Sequence, residues 1–233
     1  MIKLLAFDID NTLALINEPI LFETVSRLKQ FENSGLKIAF VSGKPAIYLS
    51  GLARQAGLKA PIIIGENGLN IYYGCSVPPL KVIDTDVDLE THEILHSIKN
   101  EIITSLGDKI WFQPNAVSVT AFPKDYEDMP ALKKMVAKLF QNDEVTSKLV
   151  SYTHLDSIDI APKLVNKGNA LSHLLKLEGW QKEDVIAIGD GENDIPMFEQ
   201  AGFSIGINFM GQYTVNVNVN SIHEALDLLQ IRC

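Results

Sequence analysis

Four short runs of β-branched and other apolar residues constrain the fold most: IKLLAF (2–7), KIAFV (37–41), PIIIG (61–65) and VIAIG (185–189). Each is too short for a helix and apolar at consecutive positions. Both faces must therefore be covered, as in a strand of a parallel sheet with helices on either side. Helical patterns separate the runs. Over 19–34, Leu21, Val25 and Leu28 make one apolar stripe and Gly35 is a natural stop. Pro45 opens a second helix running to about Gln55, and Gly57 follows it. Alternating strand and helix predicts a doubly wound, Rossmann-like α/β parallel-sheet core.

The rhythm changes from about 80 to 155. There the order is a strand, a long helix (about 87–106), two strands near 109–122, a helix over 130–140 and strands near 149–161. This predicts an α+β unit inserted into the α/β core. The division expected is 1–82 for the first part of the core, 83–158 for the insert and 159–233 for the second part. After the insert come a helix over 167–178, the strand 185–189, a helix near 194–201, the strand FSIGI (203–207) and a last helix over 221–230.

With 233 residues, 46% hydrophobic, the chain can bury a main core and a smaller one. Its formal net charge of -9 makes it a poor general binder of nucleic acid or anionic membrane. Two cysteines, Cys75 and Cys233, exclude a disulfide scaffold and a CxxC metal knuckle and fit a reducing cytoplasm. The opening MIKLLAFDID is broken by Asp8 too early for a signal peptide, and no apolar run approaches a membrane span.

The chemistry collects after the core strands. IKLLAF leads into Asp8, Asp10 and Thr12; KIAFV into Ser42, Gly43 and Lys44; VIAIG into Asp190, Gly191, Glu192, Asn193 and Asp194. Open α/β sheets bind ligands beyond the carboxyl ends of their strands. Carboxylates gathered on one edge repel one another unless a cation joins them, and hard oxygen donors suit Mg²⁺. The cation and a lysine would attract a phosphate, whose oxygens Ser42, the backbone near Gly43 and a helix N-terminus can hold. Lys167, opening the helix in VNKGNALSHLL, is the further candidate cation. Residues i and i+2 of an extended strand point the same way, so Asp8 and Asp10 can address one substrate.

These strings resemble the motifs of the haloacid dehalogenase superfamily. DIDNT resembles its DxDxT nucleophile motif, FVSGK its second motif, NKG its lysine motif and GDGEND its acidic fourth motif. The insert lies where that superfamily carries type-II caps, and its pattern is similar to the IIB (Cof-type) cap. GENGLNI (65–71) resembles that subgroup's NG turn, and the compact whole resembles the small archaeal phosphoglycolate phosphatases. The resemblance implies a cytoplasmic Mg²⁺-dependent phosphatase of a small phosphomonoester; phosphoglycolate or a sugar phosphate is the first expectation, with pyridoxal phosphate also open. A monomer or homodimer is expected. The resemblance makes Asp8 the nucleophile and Asp10 the general acid and base. Ser42, Gly43, Lys167 and Asn193 would hold the phosphoryl group. Asp8, Asp190 and Asp194 would hold the metal with the backbone carbonyl of Asp10, and Thr12 would support the turn. Glu66 and Asn67 would lie near the substrate, or only make a turn.

The chain departs from the family at Asn11, usually glycine, and Lys44, usually arginine. Asparagine tolerates positive φ, so the turn can form; lysine keeps the charge without the bidentate fork. Three other readings compete. HEILH (92–96) formally matches a zinc-protease motif, but no third ligand follows at the expected spacing and the pair lies off the stripe Leu95, Ile98, Ile102 and Leu106. A phosphomannomutase-like phosphotransferase should need arginines in the cap, and the chain's three, Arg27, Arg54 and Arg232, lie outside it. A non-catalytic phospho-acceptor would carry similar aspartates without a cap. Lys124 is the best cap cation for a substrate carboxylate. Trp111, Phe112 and Trp180 are expected to pack rather than stack on bases.

Overall fold

The computed structural model describes residues 1–232, so Cys233 lies outside the described residues. The chain divides into two compact units, Met1–Thr85 with the chain from Asn166 on, and Asp86–Val165.

The first unit is built on an eight-stranded sheet. Its strands are β1 (Leu4–Phe7), β2 (Lys37–Val41), β3 (Ile62–Gly65), β4 (Asn70–Tyr73), β5 (Lys81–Asp84), β10 (Val185–Gly189), β11 (Phe203–Ile207) and β12 (Val217–Val219). The order is β12-β11-β10-β1-β2-β3-β4-β5. Neighbours from β12 to β3 run parallel, and β4 and β5 add an antiparallel edge.

Alternation along the central strands explains why their sequences are apolar throughout. Leu5 and Phe7 of β1, Ile38 and Phe40 of β2, and Ile186 and Ile188 of β10 enter one core, with residues of helices α1 (Phe22–Asn33), α2 (Ala46–Gln55) and α8 (Ile222–Arg232). Leu4, Ala6, Ala39, Val41, Val185 and Ala187 enter the other, with α6 (Lys167–Glu178) and α7 (Ile195–Phe198). Each fully buried Leu or Ile contributes about 1.5–3 kcal/mol of transfer free energy.

The second unit is an antiparallel sheet in the order β6-β7-β9-β8. These are Ile110–Phe112, Val119–Pro123, Ile158–Pro162 and Leu149–Thr153 for β6, β7, β9 and β8. Helices α3 (Leu89–Leu106) and α4 (Met129–Leu139) pack on it, and α5 (Asp143–Lys148) precedes β8. Leu95, Ile98 and Ile102 of α3 and Leu132 and Val136 of α4 meet Val119, Ala121, Leu149, Ile158 and Ile160. No helix among the described residues is long and apolar enough to cross a membrane.

Four expectations shift. The strand Ile158–Pro162 pairs along its length with β8 and with β7, so it belongs wholly to the second unit and the expected 158/159 boundary falls inside it. Lys81–Asp84 pairs with β4 in the large sheet, so the core extends to Thr85. In α1 the buried face is Thr24, Leu28 and Phe31; Leu21 is the exposed residue before the helix and Val25 is only half-buried. The helix expected near 194–201 is α-helical only over Ile195–Phe198, after a 3-10 turn at Glu192–Asp194.

Candidate active site

The three central strands end level with one another: Phe7 lies opposite Ile188 on one side and Phe40 on the other. The segments that follow them therefore leave the sheet at a common edge. Asp8 continues the pairing for one residue, its N–H donating to the Ile188 carbonyl at 2.9 Å.

Lys167 is the centre of the charge arrangement. It is fully buried. Its Nζ donates to Asp8 Oδ1 at 2.7 Å and to Asp194 Oδ1 at 2.6 Å. The other oxygen of Asp194 accepts the N–H groups of Asp190 and Gly191, each at 3.0 Å. Asp194 is thus committed on both oxygens. Gly168 brings Lys167 into place: a Cβ there would stand 2.2 Å from the Pro196 carbonyl oxygen, so only glycine lets α6 start this close to α7.

Oxygens of Asp8, Asp190 and Asp194 all lie within 4.8 Å of one another. Burial raises the Asp8 carboxyl well above the usual range; Lys167 opposes that, while Asp194 and Asp190 add to it. Asp190 is raised by burial and by Asp194, against the Thr12 hydroxyl and Lys167. Burial alone would lower the Lys167 ammonium, but Asp194 and Asp8 outweigh it and the net shift is upward. One lysine thus faces more buried carboxylate charge than it neutralises. The donors are all hard oxygens, which fits a divalent cation of the Mg²⁺ kind.

Thr12 does more than support a turn. Its hydroxyl donates to Asp190 Oδ1 at 2.9 Å, linking residues 178 positions apart. The threonine that closes the DxDxT string was the available signal, yet spacing alone does not show which carboxylate a threonine will meet. Asn11 does hold a left-handed φ, 56°.

Asp10 stands apart from this trio, of which Asp8 and Asp194 are buried and Asp190 partly so. Its side chain is 32% exposed and pairs with Lys44 Nζ, a contact that sequence reasoning missed. Ser42 is buried, and its Oγ accepts the Lys44 N–H at 3.2 Å. Gly43 lies between them, partly exposed. Glu66 and Asn67 form a buried turn with φ of 46° and 56°. Their N–H groups donate to the carbonyls of Lys44 and Ser42, both at 2.9 Å. Asn67 Oδ1 is buried without a hydrogen-bond partner. Asn193 sits partly exposed in the turn after β10, beside an exposed Glu192.

Elsewhere the candidates do not converge. Among the described residues, the trio Asp8, Asp190 and Asp194 is the only group of three or more His, Cys, Asp or Glu side chains close enough to share an ion. His92 and His96 are exposed on α3, in an open pocket shared with Glu93, Ser97 and Asn100. Lys124 is exposed. Trp111 departs from its expected packing role: it is half exposed, with its ring 5.5 Å from that of Phe122. Phe112 and Trp180 are partly buried against the cores of their units.

Comparison with known proteins identifies the family. The family model described as haloacid dehalogenase-like hydrolase matches residues 5–151 and 113–212. A phosphoglycolate phosphatase of Metallosphaera sedula is 26% identical over 217 residues, covering 89% of this chain and 86% of the relative. A 5-amino-6-(5-phospho-D-ribitylamino)uracil phosphatase of Bacillus subtilis is 25% identical over 212 residues, covering 88% and 84%. The crystal structure of a haloacid dehalogenase-like hydrolase from Bacteroides thetaiotaomicron superposes with a TM-score of 0.78 at 18% identity, covering 98% of this chain and 100% of that one. The chain belongs to the haloacid dehalogenase-like hydrolases.

Proposed function

We propose that this hydrolase is a Mg²⁺-dependent phosphatase of small phosphomonoesters, with Asp8 as its nucleophile. The observation that carries the reading is the buried Lys167 ammonium joining Asp8 and Asp194, with Asp190 close enough to share an ion. Asp8, Asp190 and the backbone carbonyl of Asp10 would hold the metal. Asp194, with both oxygens engaged, would act on it through water. When bound, Mg²⁺ supplies charge that offsets the carboxylates and the phosphoryl oxygens.

The protein's own groups divide the remaining work. Lys167 fixes one oxygen of Asp8, so the carboxylate presents its other oxygen to phosphorus. Ser42, the Gly43 backbone and Asn193 hold the phosphoryl oxygens. Asp10 gives a proton to the departing alcohol and later takes one from the attacking water, while Asp8 carries the phosphoryl group between the two steps. The substrate is phosphoglycolate or a sugar phosphate. The two phosphatases to which the chain is similar are both named for small phosphorylated metabolites.

The test is release of 4-nitrophenolate and phosphate from 4-nitrophenyl phosphate, with and without Mg²⁺. Asp8→Asn should lower kcat/KM by about 10³ or more, and chelation should silence the native enzyme. His92→Ala should stay within about twofold of the native rate. An Asp8→Asn variant that keeps most of its activity sinks the assignment. A single stoichiometric release without turnover would favour a phospho-acceptor, and dependence on His92 with Zn²⁺ would favour the protease-like motif. A panel of phosphometabolites ranked by kcat/KM then identifies the leaving group.

A further inference from the structure

Two lysines, Lys167 and Lys44, divide the two aspartates of DIDNT between them. Lys167 takes Asp8, and Lys44 takes Asp10. The second pairing has a different setting. Lys44 and Asp10 are both partly exposed, with 26% and 32% of their side-chain surfaces accessible. Asp10 does not belong to the group of carboxylates that converge on one point. An aspartate so placed would sample several rotamers unless something fixed it.

Lys44 is itself held. Its N–H donates to Ser42 Oγ at 3.2 Å, and its carbonyl accepts the Glu66 N–H at 2.9 Å. The neighbouring Ser42 carbonyl accepts the Asn67 N–H at 2.9 Å. Glu66 and Asn67 both sit at positive φ, a conformation that costs of order 1–3 kcal/mol at each non-glycine residue and persists only where the surroundings enforce it. The strained turn thus anchors the backbone from which Lys44 reaches Asp10.

We propose that Lys44 is a positioning residue. It holds Asp10 Oδ2 so that the carboxyl group stays aimed at the leaving-group oxygen. This rests on the function proposed above, and the balance of that reaction defines what Lys44 affects. In the first step an Asp8 oxygen bonds to phosphorus, the bond from phosphorus to the alcohol oxygen breaks, and that oxygen takes the proton of the Asp10 carboxyl group. In the second, water oxygen bonds to phosphorus, its proton passes to the Asp10 carboxylate, and the bond from phosphorus to Asp8 breaks. Phosphate leaves and both aspartates return to their starting states. Misaiming Asp10 impairs the first step only when the leaving oxygen needs its proton.

The experiment measures kcat/KM for Lys44→Ala, Lys44→Met and Lys44→Arg, with Mg²⁺, on 4-nitrophenyl phosphate, phenyl phosphate and a simple alkyl phosphate. Because kcat/KM covers steps only up to alcohol release, the loss in Lys44→Ala should grow along this series. It should be small for 4-nitrophenyl phosphate and about 10²-fold or more for the alkyl ester. Hydrolysis of the phosphorylated Asp8 should slow, giving a burst of nitrophenolate before the steady state. Lys44→Arg should recover much of the loss and Lys44→Met should not.

Equal losses across the series, with KM raised, would make Lys44 a substrate contact and overturn the proposal. Full activity of Lys44→Met on the alkyl ester would overturn it too. The Asp8→Asn control separates the two levels: an active Asp8→Asn defeats the phosphatase mechanism itself, whereas an inactive one beside a flat Lys44 series defeats only the role given to Lys44.

Discussion

Gly189 and Asp194 fit together only because Gly189 has no side chain: a Cβ there would lie 2.4 Å from Asp194 Oδ2. That oxygen accepts the N–H groups of Asp190 and Gly191, and its companion accepts Lys167. The glycine that ends β10 is therefore what lets the turn fold its own aspartate back beneath the strand end.

Gly189→Ala should displace the Asp194 carboxylate and with it the second partner of Lys167. The cost of overpacking is about 1–3 kcal/mol of stability, and kcat/KM should fall by about 10²-fold as Lys167 and Asp8 shift. Denaturant unfolding and phosphatase assays on the same preparation check this. An alanine variant within twofold of native activity would mean that the carboxylate relaxes without consequence.

Asn11 offers a test of backbone geometry separate from chemistry. Its φ is 56° and it is exposed, so its side chain has little packing to lose. Asn11→Gly should keep stability and activity nearly unchanged. Asn11→Val should cost about 1–2 kcal/mol, because a β-branched residue resists the left-handed region. Activity should fall with it, since Asp10 and Thr12 flank the turn. Equal melting temperatures for the two variants would show that φ at this position is not what selects asparagine.

These residues also show what the sequence reveals and what it hides. The central strands are legible because Leu4 to Phe7 and Val185 to Gly189 are buried on both faces, a demand that leaves a continuous apolar run. Asp8, Lys167, Asp190 and Asp194 are legible because each sits where a strand ends or a helix begins. The edge hairpin is only half so: a strand near 80 is expected, but as part of the insert, and its partner Asn70–Tyr73 is not. Asn70–Tyr73 has a half-buried end and Lys81–Asp84 is largely exposed, so neither carries the run that marks an inner strand. The pairings of Thr12 with Asp190 and of Lys44 with Asp10 span 178 and 34 positions. No local pattern encodes a side-chain partner at that distance. Leu21 misled because a helical stripe extends past the point where the helix begins; the chain at Leu21 is still extended, with φ of -62° and ψ of 145°.

Asp88 gives the second unit a defined dependence on pH. It caps α3: one oxygen accepts the Thr91 N–H at 2.8 Å and the other the Thr91 hydroxyl at 3.0 Å. Lys148 Nζ donates to it at 3.0 Å. The Thr91 N–H first, and then Lys148, lower its carboxyl to about 2. An aspartate in an unfolded chain titrates near ~3.9. The folded form therefore binds this proton less readily than the unfolded one. The stabilisation is fully present above ~3.9 and is lost as pH falls through about 2. Asp88→Asn keeps an acceptor for the cap and removes the charge. It should unfold at lower denaturant than the native protein at pH 7, and the difference should shrink steadily between pH 4 and 2. Because the side chain is 61% exposed, added salt should narrow the gap at pH 7 as well. Urea titrations of both proteins across this range decide the matter: a difference that is the same at pH 7 and pH 3 would assign the contribution to cap geometry rather than to charge.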